Sequence, residues 1–159
     1  MVSQLPGLYL RSATVADQPL IQTWLGQHQL PTEDLSDILD CLYLGVQGND
    51  IVGIGGIERH GEDGLLRSLV IAPSWQGQGY GQRLCRQLIQ QAQFEGLQAL
   101  YLLTNTAPHF FAKLGFACIE RQFAPTTIQQ TTEFASLCPD SAICMQLLLP
   151  VSESSPLLN

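Results

Sequence analysis

A glycine-rich turn at residues 76–81, with the sequence QGQGYG, is the part of this chain best suited to chemistry. Its glycines alternate with longer residues, leave backbone N–H groups uncovered and permit the positive φ angles that a tight turn needs. A strand-like run at 65–71 precedes the turn, and a helix-like run at 79–95 follows it. The first N–H groups of a helix have no partner within it and lie at the positive end of its dipole. The turn therefore predicts a site for an anion such as a pyrophosphate.

Two familiar phosphate-binding loops do not fit these residues. A Walker loop ends in Gly-Lys-Ser/Thr, whereas Gly81 is followed by Gln82 and Arg83. A Rossmann loop has the spacing G-x-G-x-x-G, but Gln82 occupies the place of its last glycine. The acidic residue that the Rossmann loop needs about 20 positions later is missing from residues 97–102. A glycine-rich turn without a ligand stays open, although the strand before it and the helix after it disfavour that reading.

The turn resembles motif A of the GNAT acyltransferases. The pattern of that motif, Gln/Arg-x-x-Gly-x-Gly/Ala, is matched by Gln76, Gly79 and Gly81. The residues on either side extend the resemblance, because 69–73, LVIAP, is similar to the family's cofactor-facing strand and 110–116, FFAKLGF, is similar to its motif B. The two motifs at this spacing identify the chain as similar to the GNAT family.

The resemblance implies a fold. The predicted order of elements, β-α-α-β-β-β-α-β-α-β-β, is the GNAT order, so the likeness covers most of the chain. The implied class is α+β, an α/β three-layer arrangement: the GNAT acyl-CoA N-acyltransferase fold. Its sheet is mixed and mostly antiparallel and splays between the fourth and fifth strands, with helices on both faces and acetyl-CoA in the gap. We predict a single domain over residues 1–150 and a flexible tail over 151–159.

The resemblance also implies acetyl-CoA as co-substrate and a set of contacts to it. These contacts are Leu69, Val70 and Ile71 of the strand, Gln76, Gly77, Gln78, Gly79, Tyr80, Gly81 and Gln82 of the turn, and Asn105, Phe110 and Phe111 of motif B. The N–H near Val70 is expected to face the thioester oxygen, and such an oxyanion donor is typically worth ~3 kcal/mol. The strand side chains equally fit a plain sheet core, and both readings can hold because the cofactor would use the backbone.

Glu58 is the predicted catalytic base. It lies at the end of the strand before the cofactor strand, where a carboxylate could take a proton from an amine directly or through water. The alternative is a surface glutamate beside Arg59.

Arg67 and Ser68 interrupt an otherwise apolar strand, and they are the predicted substrate-binding residues. A charge in such a run needs a partner. One interpretation is that Arg67 clamps a carboxylate, a phosphinate or a similar anion of the substrate. The alternative, weighed equally, is a salt bridge to an acidic side chain at the mouth of the strand: Glu58, Glu62 or Asp63.

Phe111 departs from the family pattern. Many GNAT members have a tyrosine at this position that protonates the departing thiolate, and phenylalanine cannot do so. A thiol with a pKa of about 8.5 leaves tolerably well unaided. The candidates left open for this role are Tyr80, Ser141, Cys138 and water. Phe110 and Phe111 also fit a helix core.

Composition excludes several classes of function. The chain has 159 residues, enough for one domain with a sizeable core. Its 14 acidic and 7 basic residues give a net charge of −7, which argues against a nucleic-acid or anionic-membrane surface. No apolar run reaches the length of a membrane span. Because the first residues lack a basic region and an apolar segment, we expect a cytoplasmic protein.

The cysteines show no metal or disulfide pattern. There are five of them and no C-x-x-C pair, so we expect no metal site and mostly buried, reduced thiols.

Local signals place several elements. Thr14 and Asp17 have the spacing of a capping box before a helix. Thr106 is predicted to cap a later helix that has Pro108 in its first turn. Residues 116–122 are predicted to form the sixth strand.

The expected acceptor is a small-molecule amine, acetylated by direct transfer in a ternary complex without an acyl-enzyme. Residues 133–142 and 66–70 resemble a GNAT subgroup that includes arsenic-resistance and phosphinothricin-type N-acetyltransferases, which implies an amino-acid-like acceptor. An idle CoA-binding module and a protein N-acetyltransferase are the alternatives, and homodimer formation is left open.

Overall fold

The structure is a computed structural model that describes residues 7–137 and 141–150 of the 159. For Ser136 and Leu137 it describes the backbone alone. The predicted tail at 151–159 and the candidate Cys138 therefore lie outside the described residues.

Within the described residues, seven strands form one mixed sheet with the order β1-β2-β3-β4-β5-β7-β6. The strands are β1 Tyr9–Ser12, β2 Leu42–Gln47, β3 Asp50–His60, β4 Asp63–Ile71, β5 Ala99–Thr104, β6 Ala117–Ile119 and β7 Ile143–Leu148. The β1–β2, β2–β3, β5–β7 and β6–β7 pairs are antiparallel, and β4–β5 is parallel. The predicted mixed, mostly antiparallel sheet is confirmed.

The helical elements appear in the predicted order. The α-helices are α1 Gln18–Gln27, α2 Leu35–Ile38, α3 Tyr80–Phe94, α4 Pro108–Lys113 and α5 Thr126–Gln129. Short 3₁₀ turns occupy Val15–Asp17, Leu39–Cys41, Pro73–Trp75 and Arg121–Phe123, and a π-helical turn occupies Glu133–Leu137.

The chain divides into two compact units. The first comprises the residues up to Ile57 together with Arg67–Leu88, and the second comprises Glu58–Leu66 and the residues from Ile89 onward. The strands β3 and β4 and the helix α3 each contribute residues to both units. One domain over residues 1–150 stays a prediction.

The core of the first unit is aliphatic. Its buried members are Ile21, Leu25, Leu35, Ile38, Leu42, Leu44, Val46, Ile54 and Val70. The predicted capping box before α1 is present: the Thr14 N–H donates to the Asp17 carboxylate at 2.8 Å. This contact gives an otherwise unpaired N–H a partner where the helical segment begins.

The core of the second unit mixes aliphatic and aromatic side chains from β4, β5, β7, α5 and the π-helical turn. Its buried members are Leu65, Ala99, Tyr101, Ala124, Ile128, Phe134 and Cys144. Within it, β5 pairs with β7 from Ala99 to Thr104, whereas the parallel register of β5 with β4 runs only from Asp63–Ala99 to Leu65–Tyr101.

Two local predictions in the second unit are wrong. The N-cap of α4 is Ala107, not Thr106, and the side chain that serves this corner is Thr104, whose Oγ1 accepts from the Ala107 N–H at 3.1 Å. The predicted sixth strand at 116–122 shrinks to β6, Ala117–Ile119, because the chain turns into a 3₁₀ segment at Arg121–Phe123.

Candidate active site

The glycine turn of the first unit has the geometry that an anion site needs. Gly77 and Gly79 have φ angles of 77° and 85°, which L side chains rarely adopt, and open space surrounds the position of an added Cβ at either residue. The first backbone bond into α3 runs from the Arg83 N–H to the Gly79 carbonyl at 3.2 Å. The N–H groups of the preceding turn are therefore left without a helical partner. Residues 76–79 are exposed, so these N–H groups are accessible to a ligand.

Side chains at the start of the turn hold it in place. The Gln76 Nε2 donates to the Ile71 carbonyl at 2.9 Å, and the Gln78 Nε2 donates to the Ser74 carbonyl at 3.1 Å. The Gln76 amide also lies 3.2 Å from the Nε2 of His28, whose Nδ1 lies 3.0 Å from the Trp24 carbonyl. A neutral His28 that donates from Nδ1 and accepts at Nε2 satisfies both contacts. The side chain of Gln76 is therefore used within the protein. Its predicted cofactor contact would come from its backbone and stays a prediction.

An aromatic pair flanks the turn. Trp75 and Tyr80 pack edge to face with ring centroids 5.0 Å apart, and the guanidinium of Arg83 lies 4.8 Å above the Tyr80 ring. These contacts join the residue before the turn to the first turn of α3. Gly81 and Gln82 lie in the first turn of that helix.

The predicted cofactor strand is packed closely against glycines of β3. A Cβ at Gly53 would lie 2.6 Å from the Val70 carbonyl oxygen, and a Cβ at Gly55 would lie 3.3 Å from the Leu69 side chain. Glycine within a strand often marks such a close approach of another group. Val70 is buried, and Leu69 and Ile71 are half-buried.

Ser68 departs from extended geometry inside β4. Its φ is 61°, in the left-handed region that non-glycine residues rarely occupy. A single left-handed residue changes the direction of the peptide groups that follow it. The strand therefore presents the backbone of Leu69 and Val70 differently from a regular strand.

Arg67 pairs with Asp34, which the sequence analysis did not consider. Its Nη1 and Nη2 donate to the two carboxylate oxygens at 2.8 and 2.9 Å, and its Nε lies 3.4 Å from the Ser68 Oγ. The side chain of Arg67 is 0% exposed and that of Asp34 is 8% exposed. The salt-bridge alternative is therefore realised, and its partner is Asp34, which was not among the predicted candidates Glu58, Glu62 and Asp63. The predicted role of Arg67 and Ser68 in substrate binding stays a prediction.

Glu58, in the second unit, forms a pair that the sequence analysis missed. Its Oε2 lies 2.9 Å from the Nε2 of His60, and both side chains are partly buried, with exposures of 16% and 28%. The two residues lie two apart on β3, so strand alternation puts them on one face, and this spacing was readable in the sequence. Arg59 points elsewhere and pairs with Glu95.

Motif B forms α4 and its flanks in the second unit. Phe111 is buried, and its ring packs edge to face on Phe110 and Phe116 at 5.0 and 5.8 Å. The core interpretation of Phe111 is thus realised. Asn105 is exposed just after β5, where its side chain is accessible.

Two cysteines are unsuited to nucleophilic chemistry. Burial raises the pKa of the Cys85 thiol to about 12 and that of the Cys144 thiol to about 11. Cys118 is exposed and Cys41 is half-buried, and neither is in a disulfide. No cluster of metal-ligating side chains occurs among residues 7–137 and 141–150. Within the same ranges, every helix is too short or too polar to cross a membrane.

A family model for the acetyltransferase (GNAT) domain matches residues 39–118, just over half of the chain. The chain belongs to the GNAT family. The match contains the glycine turn and motif B, so the resemblance stated from these residues is confirmed at the level of the family. The arsenic-resistance subgroup stays a prediction.

Two curated relatives carry GNAT activities in their names. A segment of 53 residues is 40% identical to an amino-acid acetyltransferase of Ralstonia nicotianae, and covers 33% of this chain and 12% of that protein. A segment of 74 residues is 31% identical to a ribosomal protein bS18-alanine N-acetyltransferase of Haemophilus influenzae, and covers 45% of this chain and 51% of that protein. The chain thus matches only part of the length of each.

Solved structures share the GNAT fold. N-acetylglutamate synthase of Neisseria gonorrhoeae, in complex with coenzyme A and N-acetylglutamate, superposes with a TM-score of 0.77 at 18% identity over 93% of this chain and 36% of that one. Rv2747 of Mycobacterium tuberculosis, also in complex with CoA, has a TM-score of 0.74 at 21% identity, and the match covers 89% of this chain and 99% of that one. The ribosomal-protein-S18-alanine N-acetyltransferase of Escherichia coli has a TM-score of 0.70 at 19% identity, and the match covers 92% of this chain and 96% of that one.

Proposed function

We propose that the protein is an acetyl-CoA-dependent N-acetyltransferase that acts on the amine of a small, amino-acid-like molecule by direct transfer in a ternary complex. One observation carries this proposal: in a chain of the GNAT family, a turn with two left-handed glycines opens α3 immediately after β4. The exposed N–H groups of the turn suit the diphosphate of the cofactor. The chain's net charge of −7 does not oppose this, because backbone N–H groups act locally.

The proposed contacts to acetyl-CoA come from three segments of the chain. The backbone of Leu69–Ile71 holds the pantetheine arm, and residues 76–82 hold the diphosphate. Asn105 and the α4 residues Phe110 and Phe111 contribute from motif B. The phenyl ring of Phe111, buried among other rings, contributes apolar contact and no proton.

The proposed reaction needs no acyl-enzyme. Glu58 takes a proton from the acceptor ammonium, directly or through water, and the neutral amine nitrogen attacks the thioester carbon. The carbonyl oxygen becomes an oxyanion that accepts from the Val70 N–H. The C–S bond then breaks and the attacking nitrogen gives up its second proton to water, so an amide is formed. The thiolate leaves and takes a proton from water, which balances the proton that the nitrogen released. The buried Cys85 and Cys144 support this direct route, since their raised pKa values keep them as thiols.

His60 extends the proposed role of Glu58. Its ring nitrogen lies 2.9 Å from the Glu58 carboxylate, so it can orient that carboxylate and share the proton that Glu58 receives. Both side chains are partly buried, which separates Glu58 from a fully exposed surface glutamate.

The amino-acid-like acceptor is supported by the names of the relatives. One curated relative is named an amino-acid acetyltransferase, and one structural neighbour holds N-acetylglutamate. The bS18-alanine enzymes favour a second candidate, the N-terminal amine of a protein. A cytoplasmic location and a homodimer stay predictions.

Cofactor binding is tested by Gly79→Ala. The added Cβ is strained at a φ of 85°, so we expect coenzyme A to bind about tenfold more weakly, as about 1.4 kcal/mol of left-handed strain in the turn predicts. Calorimetric titration with coenzyme A measures the change. Gly48→Ala is the matched control, because Gly48 has a φ of 63° and equally open surroundings in the β2–β3 turn. An equal loss of affinity in both variants, or no binding by the unaltered protein, contradicts the proposal.

Catalysis is tested by Glu58→Gln. We expect kcat to fall about 100-fold, the usual contribution of a general base, with little change in coenzyme A affinity. The measurement is formation of the acetylated product from acetyl-CoA, with free amino acids and short peptides as acceptors. Glu62→Gln, in the exposed turn after β3, is the matched control. Tight coenzyme A binding without turnover on any acceptor favours the idle module, and turnover on peptides alone favours the protein-modifying enzyme.

A further inference from the structure

A buried ion pair joins Asp34 to Arg67. Asp34 directly precedes α2 and Arg67 lies in the middle of β4, 33 residues further along the chain. Both N–H···O bonds are short, at 2.8 and 2.9 Å, and both side chains are almost fully withdrawn from water. A buried ion pair is weak evidence for stability, because desolvation offsets the attraction, so a role in fixing one conformation has to be considered.

The conformation next to this pair is a strained one. Ser68 follows Arg67 and has a φ of 61°, which costs a non-glycine residue free energy and persists only where its surroundings enforce it. The guanidinium of Arg67 lies against this residue, with its Nε 3.4 Å from the Ser68 Oγ. The planar fork of arginine fixes the rotation of the group as well as its position. Asp34 therefore constrains Arg67, and Arg67 constrains the backbone at Ser68.

The strand β3 lies close to β4 on either side of Ser68. A Cβ at Gly56 would lie 3.6 Å from the Arg67 carbonyl oxygen, and a Cβ at Gly53 would lie 2.6 Å from the Val70 carbonyl oxygen. The carbonyls before and after the left-handed residue are thus held close to β3. The backbone rotation at residue 68 then sets the direction of the N–H groups that follow it.

We propose that Asp34 is a positioning residue for acetyl transfer: through Arg67 it holds Ser68 in the left-handed conformation and so directs the Val70 N–H. This inference rests on the proposed function, in which Val70 supplies the oxyanion donor. It differs from an anion clamp for the acceptor, since the terminal nitrogens of Arg67 already donate to Asp34.

The conformational half of the proposal is tested without turnover. In Asp34→Asn, we expect the three-bond coupling between the HN and Hα of Ser68, measured by NMR, to move from its left-handed value towards that of an extended strand. Asp37→Asn is the matched control, because Asp37 is exposed in α2, and it should leave the coupling unchanged. If Asp34→Asn does not fold, Asp34→Glu keeps the charge but displaces the fork, and the same shift is expected. An unchanged coupling in the folded Asp34 variant overturns the proposal.

The catalytic half is tested by rescue. Because a misdirected oxyanion donor is worth less than an intact one, we expect Asp34→Asn to lower kcat about tenfold with the KM for acetyl-CoA nearly unchanged. Glycine adopts positive φ without strain, so Asp34→Asn with Ser68→Gly should recover much of that loss, whereas Asp34→Asn with Ser68→Ala should not. Each kcat is divided by the fraction of protein that binds coenzyme A in calorimetry, which removes the effect of unfolded molecules.

The outcomes separate the two proposals. If the unaltered protein acetylates no amine, the proposed function fails, and the Ser68 coupling still decides whether Asp34 fixes β4. If the enzyme is active but Asp34→Asn keeps its kcat, or if alanine rescues as well as glycine, the positioning role is wrong. A fall in the KM for an anionic acceptor in Asp34→Asn would instead indicate that the released Arg67 binds the acceptor.

Discussion

Two arginine–aspartate pairs in the first unit have the same chemistry and opposite surroundings. Arg67–Asp34 and Arg11–Asp17 each make two N–H···O bonds, at 2.8 and 2.9 Å and at 3.1 and 3.0 Å. The side chains of the first pair are 0% and 8% exposed, and those of the second are 40% and 13% exposed. The first pair spans 33 residues and the second only 6.

Geometry alone does not set how much an ion pair contributes to the free energy of unfolding. Arg11 and Asp17 are reached by water, and Asp17 also accepts a hydrogen bond in the capping box. Losing one partner therefore leaves a charge that water can solvate. Arg67 and Asp34 are buried, and losing the cation leaves the Asp34 carboxylate in a site that water barely reaches. The local pair joins β1 to the start of a helical segment, whereas the long-range pair joins the residue before α2 to the middle of β4.

The largest expected effect is that of Arg67→Met. The variant leaves Asp34 buried without its cation, so we expect the free energy of unfolding to fall by about 3–5 kcal/mol. Urea unfolding followed by circular dichroism measures it. The double variant Asp34→Leu with Arg67→Met removes both charges and should recover most of the loss. If the single variant loses less than about 1 kcal/mol, as exposed pairs do, the contrast between the pairs is wrong.

A smaller effect is expected from Asp17→Asn. The amide keeps part of the capping function but loses the charge that pairs with Arg11, so the free energy of unfolding should fall by about 1 kcal/mol. The same urea experiment applies, with Asp37→Asn as the matched control in an exposed position. A loss as large as that of Arg67→Met would show that exposure does not separate the two pairs.

The smallest and most specific effect is the pH dependence of the Asp17 contribution. Hydrogen bonds from Arg11 lower the pKa of Asp17 from 3.8 to about 2. Because the folded pKa lies below the unfolded one, the contribution is complete above pH 4 and is lost as the pH falls towards 2. The difference in Tm between the unaltered protein and Asp17→Asn should therefore shrink over that range. A difference that stays constant from pH 5 to pH 2 would contradict the assignment.

Elements with local signals could be predicted from the sequence. The capping box at Thr14 and Asp17, the glycine turn and α3 all follow from residues within a few positions of one another, and the structure contains each. The spacing of Glu58 and His60 was of this kind as well, and their contact follows from strand alternation.

Contacts between distant residues could not be predicted. Arg67 was expected to need an anion, but nothing in the local pattern distinguishes Asp34 from the acidic residues nearer to it in sequence. The left-handed Ser68 gave no signal either, since serine does not favour that conformation. At α4, the cap moved from Thr106 to Ala107 because the hydroxyl that serves the corner belongs to Thr104, in the strand before it.

The position of β7 has a consequence for synthesis of the chain. It lies between β5 and β6 and pairs with both, although it follows both in sequence. Until residues 143–148 have left the ribosome, β5 has an open edge and β6 has no neighbour in the sheet. Open edges readily accept foreign strands. The nascent protein therefore passes through an interval in which the edge of β5 is open to pairing with other strands.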